Sequence, residues 1–402
     1  MSERMKFVLE WQRRWEETKG GRIDVAELCR VFGVSRDTGY RWIKRFVESG
    51  QDLRAMAERS RRPHTSPTAV PPAMQDFIVA ARKARPRWGP RMLRNWLVGR
   101  HPGRQFPSAS SFASILKRNG LTTPRARGRR RVPALGEPFA PAVAPNSVWC
   151  MDFKGHFKTA DGNKCLPMTI LDAFSRYNLR CEVVEETTLE AARYVLDSAF
   201  REFGLPAAIR SDNGPPFAAR GPAGLSGLSV WLLRLGIRLE RIQPGKPQPN
   251  GRLERYHRTL KLEAASPPEA NARAQQRAFD LFRRRYNEER PHAALGDKAP
   301  SSLYVPSVRR YPCGLIQMEP LVFGQILTVD RHGFIRWNRT RLFISAALAC
   351  ENVTLAPEGH SRWGVYFGRI LLGDFDDQHL ESGLRANPRP RKSHCLDLKN
   401  PE

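Results

Sequence analysis

The stretch that decides the fold is IRSDNGPPF (residues 209–217), which a spacer joins to QPNGRLERYHRTLK (residues 248–261). The first segment predicts a short strand that ends in an Asp-Asn-Gly turn at Asp212. Ligands gather at such strand ends in α/β sheets. The second segment predicts a helix whose apolar stripe packs on a sheet, with Glu254 on the adjacent stripe. Together the two segments predict an α/β domain that holds Asp212 and Glu254 at one edge of its sheet.

A third acid, Asp152, lies in SVWCMDFKG. The chain has 59 residues between Asp152 and Asp212, and 41 residues between Asp212 and Glu254. Three carboxylates brought together repel one another, and hard divalent cations relieve the repulsion by taking oxygen ligands. Two such ions can bracket a phosphate, one at the attacking oxygen and one at the leaving oxygen. We therefore predict a site for two Mg2+ or Mn2+ ions, with Asp152, Asp212 and Glu254 as metal ligands and catalytic residues.

Each of these residues also has an ordinary structural explanation. Asp-Asn-Gly is above all a turn signal, and Glu254 with Arg258 can be a surface ion pair of little energetic consequence. Asp172 in TILDAFSRY also ends a predicted strand, so it remains an alternative to Asp152. We prefer Asp152 because the run VWCMDF carries it within the first predicted strand.

Residues 146–305 predict the domain that contains these acids. Three consecutive strands over residues 147–184 precede a helix over Thr188–Phe203. A strand, a helix near Leu225–Leu235 and a strand over residues 237–242 follow. This order predicts an α/β domain with a mixed sheet, and it is typical of a ribonuclease-H-like core.

Residues 1–60 predict a helix-turn-helix domain, with a glycine turn and a serine N-cap before a second helix over Arg36–Glu48. We expect Tyr40, Ile43 and Val47 to face the core. The second helix of such a motif can enter a DNA major groove. Its predicted DNA contacts are the basic residues Arg36, Arg41, Lys44 and Arg45. An ordinary helical hairpin with a solvated basic face is the alternative.

Residues 70–121 predict a second DNA-binding module of helix-turn-helix or winged type, built from three short helices. Lys117 and Arg118, near the end of its last helix, are predicted DNA contacts. Residues 122–145 predict a basic, Pro-rich linker, in which Arg129 and Arg130 can follow a phosphate backbone. A merely solvated linker is the alternative.

Residues 315–375 again alternate as short strands with turn signals, which predicts a small all-β barrel of five strands. The polar residues 381–402 predict a disordered tail. The predicted fold class is therefore multidomain: N-terminal all-α helix-turn-helix modules, a central α/β ribonuclease-H-like core and a C-terminal β-barrel.

The balance of charge indicates the kind of partner. The chain has 402 residues and a net charge of +27, and residues 1–136 hold 30 Lys and Arg against 11 Asp and Glu. Basicity on this scale indicates a polyanion, and it is concentrated in the part predicted to bind DNA. The seven cysteines include no CxxC pair, which argues against a zinc finger or a disulfide framework.

The N-terminal segment MSERMKFVLEWQRRWEE is charged and lacks the apolar region of a signal peptide. No apolar run approaches the length that spans a bilayer. We therefore expect a cytoplasmic, nucleoid-associated protein without a membrane partner.

Four motifs in this order, WCMDFKG, SDNGPPF, QPNGRLERYHRTLK and YNEERPHAAL, resemble those of bacterial insertion-sequence transposases. These belong to the DDE integrase-core group, which is related to retroviral integrases. The resemblance covers about residues 140–310. It implies an integrase core with catalytic acids at Asp152, Asp212 and Glu254. It also implies DNA contacts from Lys261, two helical turns after the glutamate, and from His257 and Arg258 in the same motif.

Two features depart from the family. The spacer between Asp212 and Glu254 is a few residues longer than usual, and we assign the excess to the Gly-rich AARGPAGLSGLS after Phe217. The zinc-binding His/His/Cys/Cys module of retroviral integrases is absent from the sequence. Helix-turn-helix modules stand in its place.

The resemblance implies a transposase that binds the terminal inverted repeats of its element, cleaves there and joins the ends to target DNA. Double-stranded DNA, both element ends and target, is the expected partner. Two ends must be held together, so we expect a homo-oligomer, at least a dimer. The alternatives are a DNA-binding regulator without catalysis and a metal-dependent nuclease that does not join ends.

Overall fold

The structure is a computed structural model that describes residues 2–58, 69–122, 142–242, 251–315, 317–321 and 323–386. Contacts divide the chain into two compact units, Met1–Ala69 and Val70–Glu402. Within the described ranges, no helix is long and apolar enough to cross a membrane.

The first unit contains helices α1 (Glu3–Glu17), α2 (Val25–Val31) and α3 (Arg36–Glu48). The hydroxyl of Ser35 caps α3 by accepting from the backbone N–H of Thr38, which confirms the predicted helix start. The core of this unit buries side chains from all three helices: Phe7, Val8, Val25, Leu28, Cys29 and Phe46.

The orientation predicted for α3 is wrong in part. Tyr40 is 58% exposed and Val47 is 50% exposed, whereas Phe46 is buried. Gly39 is also buried, and a Cβ atom there would overlap the sulfur of Cys29 and lie 3.0 Å from a ring carbon of Phe7. The absence of a side chain at residue 39 therefore sets how closely α1 and α2 approach α3.

The second unit begins with three helices, as predicted: α4 (Pro72–Ala84), α5 (Pro90–Arg100) and α6 (Ala109–Arg118). They enclose a small core of their own. This helical module contacts the rest of its unit through ion pairs. Arg85 pairs with Glu289, and Arg91 lies 2.6 Å from Asp297.

A mixed sheet forms the centre of the second unit. Its strands are β1 (Val148–Phe153), β2 (Phe157–Lys158), β3 (Lys164–Asp172), β4 (Asn178–Val184), β5 (Ala208–Ser211) and β6 (Arg238–Arg241). The strand order is β4-β3-β1-β5-β6, with β2 paired to the start of β3. Strand β3 is antiparallel to both of its neighbours, β1 and β4. Strand β5 is parallel to both of its neighbours, β1 and β6. The predicted mixed sheet is confirmed.

Helices cover both faces of this sheet. The helices are α7 (Leu189–Phe203), α8 (Gly227–Arg234), α9 (Gly251–Ala264) and α10 (Ala272–Glu288). One face packs against α7 and α8 and includes Trp149 and Ile209. The other face, which includes Cys150 and Ala208, packs against α9 and α10. Because side chains alternate along a strand, Asp152 shares the α9 face with Cys150.

The C-terminal region is rich in sheet, as predicted. Its strands are β7 (Gln325–Thr328), β8 (Phe334–Trp337), β9 (Thr340–Phe343), β10 (Asn352–Pro357), β11 (Arg362–Phe367), β12 (Ile370–Asp376) and β13 (Arg385–Ala386). The described strands form an open sheet in the order β13-β12-β11-β10-β7, with β8 and β9 as a separate hairpin, and not a closed barrel. Pairing of β13 with β12 also extends ordered structure into the predicted tail.

The Gly-rich excess after Phe217 has a structural role. It contains a buried turn, Pro222–Gly224, that packs against β12. Nearby, Arg234 of α8 forms an ion pair of 2.7 Å with Glu351. The core of the central sheet therefore continues without interruption into the C-terminal sheet.

Candidate active site

The parallel pairing of β1 with β5 brings Asp152 and Asp212 side by side. Val148 pairs with Ala208 and Cys150 with Arg210, a constant offset in the register. Asp152 and Asp212 each follow two residues after the last of these pairs, at the carboxyl ends of their strands. Neighbouring strands are about 4.8 Å apart, so the two carboxylates leave the same sheet edge as neighbours.

The loop after Asp212 is shaped around its carboxylate. The backbone N–H of Gly214 donates to Oδ1 of Asp212 at 3.1 Å. A Cβ atom at Gly214 would lie 3.2 Å from Oδ2, so glycine leaves room there. The ring of Phe217 stacks on Phe153, the residue after Asp152, at 5.3 Å between centroids. This stacking ties the loop to the strand that carries the other aspartate.

The third acid, Glu254, is exposed on α9, while Leu253, Tyr256 and Leu260 of the same helix are buried against the sheet. Burial first, and then the Asp212 carboxylate, raise the pKa of Asp152 to about 7. Glu254 also raises this pKa, though less than Asp212 does, as expected of a more distant carboxylate. The carboxylates of Asp212 and Glu254 therefore both act electrostatically on Asp152.

This donor set suits a hard divalent cation, because it offers carboxylate oxygens and a cation would relieve the repulsion that acts on Asp152. The side chains are not yet closed around a metal position. Across the described ranges, no three His, Cys, Asp or Glu side chains are gathered closely enough to hold a metal ion. Glu254 is an exposed helical side chain, and such a side chain can occupy several rotamers.

Asp172, the alternative to Asp152, is fully buried and has other partners. Its Oδ1 accepts from the backbone N–H of Asn146 at 2.8 Å. Its Oδ2 accepts from the backbone N–H and the hydroxyl of Ser175 at 2.7 and 2.6 Å. Asp172 therefore holds the turn after β3, at the end of the sheet opposite Asp152, and it is not one of the three grouped acids.

His257 occupies an environment different from the one we predicted. Its Nε2 lies 2.8 Å from the hydroxyl of Thr169, on the strand next to Asp152. Burial, reinforced by the positive charge of Lys154, lowers the His257 pKa to about 4. His257 is therefore partly buried against the sheet, and its contact with DNA stays a prediction.

The predicted basic residues of α9 are accessible. Arg258 and Lys261 are both exposed, and within the described residues Arg258 forms no ion pair with Glu254. The surface ion pair considered above is therefore absent there. The sequence analysis missed Lys154, whose pKa is lowered by burial and then by the charge of Lys261. Its signal was its position two residues after Asp152, just beyond the end of the same strand.

The predicted DNA contacts on α3 differ in their surroundings. Arg36, Arg41 and Lys44 are exposed, and Arg41 lies 2.7 Å from Asp37. Lys44 lies 3.8 Å from Glu48. Arg45 is partly buried and donates to the carbonyl oxygen of Ala57 at 2.9 Å, so it holds the end of the first unit together.

The remaining predicted DNA contacts are divided between described and undescribed parts of the chain. Lys117 and Arg118 are exposed in the last turn of α6. Arg129 and Arg130, in the linker, lie outside the described residues.

Family models match nearly the whole N-terminal and central chain. A helix-turn-helix domain matches residues 3–64, and a homeodomain-like domain matches residues 38–116. Two models of the integrase core domain match residues 142–247 and 235–300.

Insertion-element proteins are among the relatives of this chain. A 31.7 kDa protein of insertion element IS407 from Burkholderia multivorans is 32% identical over 46% of this chain. A 39.2 kDa protein of insertion element IS476 from Xanthomonas euvesicatoria is 28% identical over 58% of it. The match spans 65% of the length of each relative.

Among solved structures, the HTLV-2 integrase catalytic core domain in complex with magnesium is similar, with 17% identity and a TM-score of 0.33. That similarity covers 40% of this chain and 99% of the other. The chain therefore contains an integrase core domain over residues 142–300, behind helix-turn-helix and homeodomain-like domains over residues 3–116.

Proposed function

We propose that this protein is a DNA transposase that cleaves at the ends of its element and joins them to target DNA by metal-dependent transesterification. The observation that carries the proposal is the common register of Asp152 and Asp212 at the end of two parallel strands, under the helix that carries Glu254. The insertion-element relatives support the same activity.

In this proposal the three carboxylates hold the metal and position the phosphodiester. Asp152, Asp212 and Glu254 would be the residues that hold the ions. Bound there, Mg2+ or Mn2+ would activate the attacking oxygen and stabilise the leaving oxygen. Burial and a neighbouring carboxylate raise the pKa of Asp152. A bound cation would lower this pKa again, because it favours the ionised carboxylate. Lys154 and Lys261 supply positive charge beside the acids.

DNA is the proposed partner. The exposed residues Arg36, Arg41 and Lys44 of α3 face solvent, as a recognition helix requires. We propose that the helix-turn-helix domains bind the inverted repeats, while Arg258 and Lys261 contact phosphates near the cleaved bond. Two element ends must react together, so at least a homodimer is the proposed working form.

A strand-transfer assay tests this function. The full chain is mixed with Mg2+, target DNA and pre-cut duplexes that carry the sequences flanking its gene. We expect joined products with the wild-type chain and none with Asp212→Asn, while gel shifts show that both bind the ends. Glu263→Gln, which changes a carboxylate on α9 outside the site, is the matched control and should join at the wild-type rate.

The other two functions give different results in the same assay. A nuclease would cut uncut ends but leave pre-cut ends unjoined. A regulator would bind the ends and do neither. Either result with wild-type protein would overturn the proposal.

A further inference from the structure

Two arginines from different parts of the chain converge on one backbone oxygen at the opposite end of the sheet from Asp152 and Asp212. Nη1 of Arg176, in the turn between β3 and β4, donates to the carbonyl oxygen of Ala173 at 2.8 Å. Nη1 of Arg252, in the first turn of α9, donates to the same oxygen at 2.7 Å. The two Nη1 atoms are therefore no more than 5.5 Å apart, the sum of these distances. Like charges held this close repel each other.

A third arginine extends the pair. Arg255 lies one helical turn after Arg252, and residues three apart on a helix are surface neighbours. Both side chains are exposed. Within the ranges that the structure describes, none of Arg176, Arg252 and Arg255 has a carboxylate partner within ion-pair distance. We call these three residues the arginine cluster.

Asp172, whose charge acts on Arg252, forms no ion pair with the arginine cluster. Asp172 directs both carboxylate oxygens at Asn146 and Ser175, and its pKa is raised by burial. Arg176 itself is held in the left-handed region, with φ of 66°. A residue other than glycine rarely adopts this conformation unless the surroundings enforce it. Burial, and then the charge of Arg252, lower the pKa of Arg176 to about 10.

We propose that the arginine cluster binds a phosphate of the DNA backbone, at a site separate from the carboxylates that act on the cleaved bond. A phosphodiester offers the acceptors and the negative charge that three adjacent guanidinium groups lack here. The inference rests on the proposed function, because it takes DNA as the polyanion.

The geometry of α9 separates this site from the catalytic one. With 100° per residue, Arg252 and Arg255 lie on one flank of the buried stripe, whereas Glu254, Arg258 and Lys261 lie on the other. The helix therefore presents a basic surface on each side of its contact with the sheet. The phosphate bound by the arginine cluster would lie at the opposite end of the sheet from Asp152 and Asp212, so it positions the DNA and does not react.

The test measures DNA binding by the full chain in EDTA, so that cleavage plays no part and a failure of the catalytic proposal leaves the result readable. The probes are a mixed-sequence duplex unrelated to the gene, which represents target DNA, and a duplex from the flank of the gene, which represents an element end. Arg252→Gln/Arg255→Gln should weaken binding roughly tenfold, and lower the slope of log affinity against log salt by about one for each phosphate-binding arginine that is replaced. Weaker binding to one probe alone assigns the phosphate to that DNA.

The matched control is Arg273→Gln/Arg277→Gln, which removes the same charge from two exposed positions of α10. The proposal would be overturned if Arg252→Gln/Arg255→Gln kept the wild-type slope of log affinity against log salt on both probes. It would also be overturned if the control variant lowered this slope equally. Arg255→Gln alone covers the case in which the double variant does not fold, because this side chain is exposed and takes part in no described hydrogen bond or ion pair. It should lower the slope by about one, and an unchanged slope would again overturn the proposal.

Discussion

The hydroxyl of Thr169 lies 2.8 Å from Nε2 of His257, and this contact joins α9 to the central sheet beside the candidate site. The same hydroxyl lies 3.2 Å from the carbonyl oxygen of Asp152, which can only accept a hydrogen bond. The proton of Thr169 can go to Asp152 or to His257, depending on the tautomer of the imidazole. With either tautomer, the contact of Thr169 with His257 fixes the helix of Glu254 relative to the strand of Asp152.

Thr169→Val removes the hydrogen-bonding partner of His257 while nearly keeping the shape of the side chain. A buried polar group left without a partner costs about 1–3 kcal/mol, and we expect the free energy of unfolding to fall by this amount. End cleavage should slow several-fold, because Glu254 is held less firmly. Urea denaturation and single-turnover cleavage measure the two effects.

The control for this change is Thr259→Val, also on the α9 side of the site, where the hydroxyl donates only to the carbonyl oxygen of Arg255 within its own helix. It should leave both quantities near their wild-type values. Equal effects of the two substitutions would show that the bond between Thr169 and His257 has no positioning role.

Gly39→Ala should loosen the first helix-turn-helix unit. Its new Cβ atom would overlap the sulfur of Cys29, and overpacking of this kind costs about 1–3 kcal/mol. We expect a lower thermal stability of the first unit and weaker binding to the DNA flanking the gene. Gly99→Ala is the control, because nothing lies within 4 Å of a Cβ atom at this helical position. It should be neutral or slightly stabilising, and a Gly39→Ala chain as stable as Gly99→Ala would contradict the packing described.

His292 should make the protein less stable in mild acid. Burial first, and then Arg290 and other arginines, lower its pKa to about 4. As the pH falls through about 6.5, His292 takes up a proton in the unfolded chain but not in the folded chain. The contribution of neutral His292 to the free energy of unfolding is therefore complete above about pH 6.5 and declines as the pH falls toward 4. The difference of about 2.5 pKa units sets an upper limit of about 3 kcal/mol.

The free energy of unfolding, measured by urea between pH 7.5 and 4.5, checks this dependence; the interval covers most of the range between the two pKa values of about 6.5 and 4. His292→Gln should make the free energy of unfolding depend less on pH, by the amount that His292 contributes. His360→Gln, at an exposed position of the C-terminal region, should leave it unchanged. Parallel curves for the wild type and His292→Gln would mean that this histidine titrates alike in both states.

The central sheet was predictable because its signals are local. Alternation, turn residues and helical periodicity place Asp152 and Asp212 at strand ends. Helix α3 was predicted at the right place, but part of its buried face was predicted wrongly, and the cause is equally local. Tyr40 and Val47 form an apolar stripe at helical spacing, but the stripe of Ile43 and Phe46 beside it also fits, and Gly39 marks the true contact only once the helices are packed.

The interactions that sequence reasoning missed join segments far apart in the chain. The order in which β7 to β13 pair depends on register between strands, which local patterns leave open, so an open sheet was taken for a barrel. The sequence of the Gly-rich segment after Phe217 is typical of a loop, and its packing against β12 has no local sequence signal. The convergence of Arg176 and Arg252 on Ala173 likewise has no local signal.

The most direct test of the central claim is anomalous diffraction from crystals of the full chain soaked in Mn2+. We predict a manganese peak between the carboxylates of Asp152 and Asp212, with Glu254 turned toward the site, and no such peak in crystals of Asp212→Asn. Saturating Mn2+ that gives no peak at these residues, or a peak that persists unchanged in Asp212→Asn, would contradict the account.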